Sequence, residues 1–148
     1  LAKKKLGARV RWLGHLPISE VPAVMAQADC LVLPSVHDGW GAVASEALMV
    51  GTPVICSDAC GVAGVVRASG KGGVFAVDDQ AALAKLLAKQ LEQGQVTAEA
   101  RLKLANWATC LGATSGAAYL VDIFTYSDSN SIERPIEPWS KSELRCVD

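Results

Sequence analysis

The chain is short of several things at once, and each shortage removes a class of function. No apolar run approaches the roughly 20 residues that a membrane-spanning helix needs, although 51% of the 148 residues are hydrophobic. There is no surplus of charge. Fourteen Lys and Arg against 15 Asp and Glu leave a net charge of −1, which argues against a general nucleic-acid binder. The one basic run, Lys3-Lys4-Lys5, reads as a solvated helix end. Metal-ligand spacing is missing too. Cys56 and Cys60 stand four apart, and no His or Cys pair completes a set, so no metal is expected. No Gly-x-Gly-x-x-Gly follows a strand, which leaves a nicotinamide enzyme without support, and there is no Gly-x-Ser-x-Gly elbow. "GVVRASGKG" imitates a phosphate-binding P-loop. Its spacing from Gly64 to Gly70-Lys71 is one residue too long, and Gly72 stands where Ser or Thr is needed.

What is present describes a globular domain. Only 20% of the residues are charged, too few for disorder over most of the length, and 148 residues suffice for one domain with a real core. Cys30 and Cys56 sit inside apolar runs, as small buried hydrophobes do in a reducing compartment; a cytoplasmic location is expected. The first residue is Leu, and "LAKKKLG" reads as the last turn of a helix. The chain is therefore expected to be a piece of a longer protein.

Along the chain, "RVRWLG" alternates and predicts a strand from about Arg9 to Leu13. "SEVPAVMAQA" has helical spacing, with Ser19 as candidate cap and Pro22 in the first turn. "CLVLP" is a continuous apolar run, the mark of a strand buried on both faces. A loop over 35–40 precedes a helix in "GAVASEALMVG", closed by Gly51. "PVICS" is the next buried strand, "GVAGVVRA" a short helix and "GGVFAV" a short strand. "DDQAALAKLLAKQLEQ" is an amphipathic helix capped by Asp78 or Asp79, "TAEARLKLANWATCL" another with Thr97 as cap, and "ATSGAAYLVDIFTY" a third. From Ser127 the chain turns polar and proline-bearing, a linker or an extended arm. Trp12, Trp107 and Trp139 read as core or interface anchors rather than base-stacking platforms. Buried strands alternating with helices imply a three-layer α/β architecture with a parallel, Rossmann-like sheet. Ligands of such sheets bind at the carboxyl ends of the strands, and the loop after "CLVLP" lies at such an end.

That loop is the most informative stretch. In "SVHDGWGAVASEALMVGTP" (35–53), Gly39 and Gly41 flank Trp40, and Asp38 and Glu46 stand eight positions apart across a helix start. The amides of Gly41, Ala42 and Val43 would have no intrahelical acceptor and would carry the positive end of the helix, an anion site. On the glycines alone, a simple tight turn fits equally. Asp38 has a plain alternative as a helix cap. Glu46 lies in an otherwise apolar stretch and there wants a partner: ligand hydroxyls, or an Arg elsewhere in the chain.

These residues resemble family 4 retaining glycosyltransferases of the GT-B fold. That family carries Glu-Gly-Phe-Gly, a second Glu separated from the first by seven residues and followed by Ala, then Gly-x-Pro-Val-Ile. Here stand Pro34-Ser35, Asp38-Gly39-Trp40-Gly41, Glu46-Ala47, Gly51-Thr52-Pro53-Val54-Ile55, Ser57-Asp58 and Gly61. The likeness extends over about residues 8 to 92, from "RWLGHL" to "GGVFAVDDQAALAKLL".

The resemblance implies a fold, a donor site and partners. Residues 1–118 would be part of a C-terminal nucleotide-sugar-binding domain. Residues 119–148 would be a helix and arm that cross to an N-terminal domain absent from this chain. Glu46 would bind ribose hydroxyls, and the amides of Ala42 and Val43 the diphosphate. Asp38, the candidate catalytic residue, would orient donor-sugar hydroxyls with the amides of Gly39, Trp40 and Gly41. His15 and Leu16 would lie near the base. The substrates would be a nucleoside diphosphate sugar and an acceptor glycan or glycolipid held through the missing domain, with no further cofactor. The complete protein would work in the cytoplasm, in peripheral contact with the membrane's cytoplasmic face, in polysaccharide or glycolipid synthesis. Two departures stand out. Asp38 replaces the usual Glu and is shorter by about 1.5 Å, and Trp40 replaces Phe. The family's Arg and Lys that clamp the diphosphate fall upstream of Leu1, so the fragment alone is expected to be inactive. A non-catalytic nucleotide- or sugar-binding module of the same fold is the alternative. A phosphorylase would carry a pyridoxal-binding Lys, and none is evident.

Overall fold

The computed structural model of the chain describes residues 7–128 and 133–141. The basic run at Lys3-Lys4-Lys5 lies outside them. The elements are α1 (Val21–Ala26), β1 (Leu31–Leu33), α2 (Ala42–Met49), β2 (Val54–Ser57), α3 (Ala63–Ser69), β3 (Gly72–Phe75), α4 (Gln80–Glu92), α5 (Ala98–Trp107) and α6 (Ala113–Asp128). Short 3-10 turns occupy Gly7–Arg9, Ala108–Leu111 and Pro138–Ser140.

The strands form one parallel sheet in the order β1-β2-β3. Leu31 lies opposite Val54 and Leu33 opposite Cys56, while Cys56 faces Val74 across the other ladder. Side chains alternate between the faces of a strand, so this register lays Leu31, Leu33, Val54, Cys56 and Val74 on one side. There they pack with Ala44, Ala47 and Leu48 of α2, Val65 and Val66 of α3, and Leu104 and Trp107 of α5 into the main core. The opposite face carries Val32, Ile55 and Gly73. α4 packs against it, bringing Leu86 over Gly73. The three layers are α2/α3/α5, sheet and α4, as the alternating pattern implies.

Local sequence explains most boundaries. Asp79, the nearer of the two candidates, accepts the Ala82 amide at 2.8 Å and caps α4. Thr97 accepts the Ala100 amide at 3.2 Å and caps α5. Ser19 does not cap α1. A turn closed by Glu20 N donating to Pro17 O at 2.9 Å puts Ser19 one residue too early, and Glu20 takes the cap position without a side-chain bond.

The expected strand at Arg9–Leu13 is not formed; Gly7–Arg9 is a 3-10 turn and the residues after it are irregular. Trp12 is 64% exposed, so it is no core anchor. The alternation supplies a face, but a strand also needs a neighbour for its ladder, and none pairs with this segment among the described residues.

The last described segment divides. Leu120, Val121 and Phe124 leave an apolar stripe of α6 exposed. The arm, by contrast, packs on this domain: Pro138 is buried, and Trp139 lies against the core. Among the described residues no helix is long and apolar enough to cross a membrane.

Candidate functional site

The β1–α2 loop and the β2–α3 loop leave the carboxyl end of the sheet side by side, and backbone bonds lace them together. Asp38 N donates to Ala59 O at 3.3 Å, Gly61 N to Asp38 O at 3.3 Å, and Val62 N to Trp40 O at 2.7 Å. Lower down, the Ser57 hydroxyl donates to Ser35 O. So close an approach requires Gly61, where a Cβ would lie 2.2 Å from Gly39 O. Buried beneath the lacing, the Cys60 thiol lies 3.4 Å from Ser57 Oγ. Burial first, and the Cys60 thiol second, push the Cys56 thiol up to about 11, so it stays protonated at neutral pH.

Gly41 ends the loop. Its φ of 88° is left-handed, and it stands at the N-cap of α2 with no side chain capping the helix. A Cβ there would meet Val62 Cγ1 at 3.0 Å, so both space and φ require glycine. The plain-cap reading of Asp38 is thereby removed: Asp38 is three residues upstream, held by its backbone against Cys60 in a parallel bridge, with its side chain half-buried. The first-turn amides of α2 have no side-chain acceptor, and Ala42, beside the cap, is exposed.

Ala44, Ala47 and Leu48 turn α2 onto the core. Ala42, Glu46 and Met49 form its outward stripe, at the spacing that puts i, i+4 and i+7 on one side. Glu46 is exposed and has no protein partner among the described residues. Of the two partners its apolar context calls for, an Arg is not found among the described residues, and the outward placement has a geometric reason. A helix of eight residues has an outer face even where its sequence is mostly apolar. Helical side chains lean towards the N-terminus, which inclines Glu46 towards the open end of α2.

Trp40 is 42% exposed. Its Nε1 donates to Ser45 Oγ at 3.1 Å, and its ring lies 5.8 Å from that of Trp139 at 56°. Val43 is half-buried against the core, and Gly39 is exposed. His15 is exposed and Leu16 half-buried, and no hydrogen bond joins them to residues 38–46. Backbone bonding and the start of α2 thus hold Asp38 through Glu46 together, and among the described residues no hydrogen bond ties His15 or Leu16 to them.

Next to the loops, a cavity of about 150 Å³ opens over the carboxyl ends of all three strands, lined by Ser35, Ser57, Phe75, Asp78 and Gln80 among others. Sequence reasoning missed it. The signal was "AVDD", in which both acids pass for helix caps; only Asp79 caps, while Asp78 adopts a left-handed φ of 66° at the cavity wall.

A family model described as glycosyl transferases group 1 matches residues 1–108. The 2-deoxystreptamine glucosyltransferase of Streptomyces kanamyceticus is 44% identical over 71 residues, covering 48% of this chain and 18% of that protein. Glycogen synthase of Mycobacterium tuberculosis (strain H37Rv) is 31% identical over 121 residues, 76% of this chain and 29% of that protein. The O-antigen chain mannosyltransferase B of Escherichia coli is 36% identical over 61 residues, 41% of this chain and 16% of that protein. The chain spans less than a third of the length of each of these relatives. No solved structure matches it significantly.

Proposed function

The chain belongs to the group 1 glycosyl transferases, and from that membership we propose that it is the donor-binding part of a retaining enzyme of family 4. The complete protein takes a sugar from a nucleoside diphosphate and passes it to an acceptor hydroxyl. The bond between the anomeric carbon and the diphosphate oxygen breaks. The acceptor oxygen bonds the same carbon from the same face, and its proton leaves with the diphosphate.

The observation that carries the reading is the uncapped start of α2, with left-handed Gly41 at its cap and Glu46 exposed on the stripe above Ala42. Amides at a helix N-terminus suit a diphosphate, and preorganised donors stabilise charge as it develops there. In this reading Ala42 and Val43 hold the diphosphate through their amides, Glu46 the ribose, and Asp38 with Gly39, Trp40 and Gly41 the sugar. His15 and Leu16 approach the base. The names of the relatives, each a sugar transferase or a glycogen synthase, support transfer as the activity. The acceptor is a glycan or glycolipid bound by a further domain at the cytoplasmic face of the membrane. The exposed stripe of α6, at Leu120, Val121 and Phe124, supports a helix that crosses to it.

Calorimetric titration with uridine, guanosine and adenosine diphosphates tests the site. Hydrogen bonds to ionised groups contribute about 1.5–3 kcal/mol each, and association costs offset several kcal/mol of their sum. The chain should therefore bind no better than about millimolar. Glu46→Ala should weaken binding more than Asp38→Ala, because the nucleotide contains the ribose and not the donor sugar. Micromolar binding would show that the residues present complete the site and that no upstream cationic clamp is needed. The shorter Asp38 favours a rival, a module that binds without turnover. Sugar transfer by the complete protein, abolished by Asp38→Ala, would exclude it.

A further inference from the structure

Trp40 lies between two glycines, so its indole is the only side chain by which residues 39–41 can be held. That ring is tethered twice. Ser45 accepts its Nε1–H at 3.1 Å, and Trp139 meets it in a tilted ring pair at 5.8 Å and 56°, a favourable aromatic geometry. Trp139 is itself anchored. The 3-10 turn Pro138–Ser140 is closed by Ser140 N donating to Glu137 O at 2.9 Å, and it packs on α3 and on the turn Ala108–Leu111. Pro138 is buried beside it.

We infer that Trp139 is a positioning residue: the C-terminal arm fixes the Trp40 ring and thereby sets the sugar-facing amides of Gly39, Trp40 and Gly41. The inference rests on the donor-site reading and deepens it, because it assigns the arm to recognition of the sugar and not of the nucleotide. The nucleotide contacts proposed at Ala42, Val43 and Glu46 lie on α2, whose inner face is held by Ala44, Ala47 and Leu48 in the core.

The test compares the chain with its Trp139→Ala and Trp139→Phe variants. Two coupled indoles give an exciton couplet in circular dichroism, which should be present in the parent and absent from both variants. NMR titrations then use uridine, guanosine and adenosine diphosphates, each with and without an attached hexose. Trp139→Ala should weaken the hexose-bearing ligand about two- to tenfold and leave the free diphosphate unchanged. Trp139→Phe, which keeps an aromatic face, should recover most of that loss. Ser45→Ala releases the other tether without touching the arm. It should give the same selective loss, and it keeps the question open to test where Trp139→Ala fails to fold. Absence of the couplet in the parent, equal loss for both ligands, or no loss for either would overturn the inference alone. Binding of neither ligand to the parent would overturn the donor-site reading together with it.

Discussion

β1 and β2 look alike in sequence and differ in the folded chain. "LVL" is a continuous apolar run and "VICS" is one as far as its final Ser57, the pattern of a strand covered on both faces. All four residues of β2 are buried, whereas all three of β1 are only half-buried. Among the described residues, β2 has a strand on each side and β1 has one on a single side. α4 packs against β2 and β3 on the far face. An apolar run therefore reports what a strand can tolerate, and its neighbours decide how far it is buried.

The comparison can be broken most forcefully at Gly72, where β3 joins β2. The residue has a φ of 91°, and a Cβ would lie 1.9 Å from Val54 O. Gly72→Ala should prise β3 from β2 and leave β2 paired on one side, as β1 is. Left-handed strain alone costs about 1–3 kcal/mol, so with the overlap a loss above about 3 kcal/mol is expected in urea denaturation. A loss below 1 kcal/mol would mean that the close approach is not needed. A matched pair sharpens the contrast next. Val54→Ala, at a position with no exposure, should cost about 2–3 kcal/mol, and Val32→Ala in β1 less than about 1 kcal/mol. Equal costs would erase the distinction. The smallest effect involves the thiols. Burial raises both Cys30 and Cys56, the latter from 9.0 to about 11. A folded-state value above the unfolded one gives stability that is fully present below about pH 9 and lost as the pH rises through about 11. Cys56→Ala should therefore flatten the alkaline loss of stability more than Cys30→Ala does. At pH 8, alkylation should reach half-buried Cys30 before Cys56.

The same lesson explains what could be read in advance. α2, β2, α3, β3 and the caps at Asp79 and Thr97 depend on local pattern, and the sequence revealed them. The motif from Asp38 to Glu46 was legible because glycine spacing and a helix start are local too. Three features were not. The alternation of Arg9–Leu13 says nothing of whether a strand lies beside it. The exposure of Glu46 depends on which face of α2 meets the core, and its hydrophobic neighbours hid that choice. The ring pair of Trp40 and Trp139 joins residues 99 positions apart, a distance across which no periodicity carries information.

Arg101 sits at the opposite end of the sheet from the glycine loop, and its setting gives the domain a direction. From α5, its planar fork reaches Thr52 Oγ1 at 2.8 Å and Ala28 O at 3.1 Å, and Thr52 in turn donates to Met25 O at 2.7 Å. One guanidinium thus binds the end of α1 to the turn entering β2, which a lysine's point charge could not do for both at once. Beside α5, the amino end of the sheet is a floor whose polar groups bond to the protein itself, while farther along it a cavity of about 270 Å³ opens at Pro53, Lys71 and Gln90. The carboxyl end, where α2 opens without a cap, is an unsealed mouth. Substitutions at the floor should be felt as stability and those at the mouth as recognition, so the two can diverge independently in related chains.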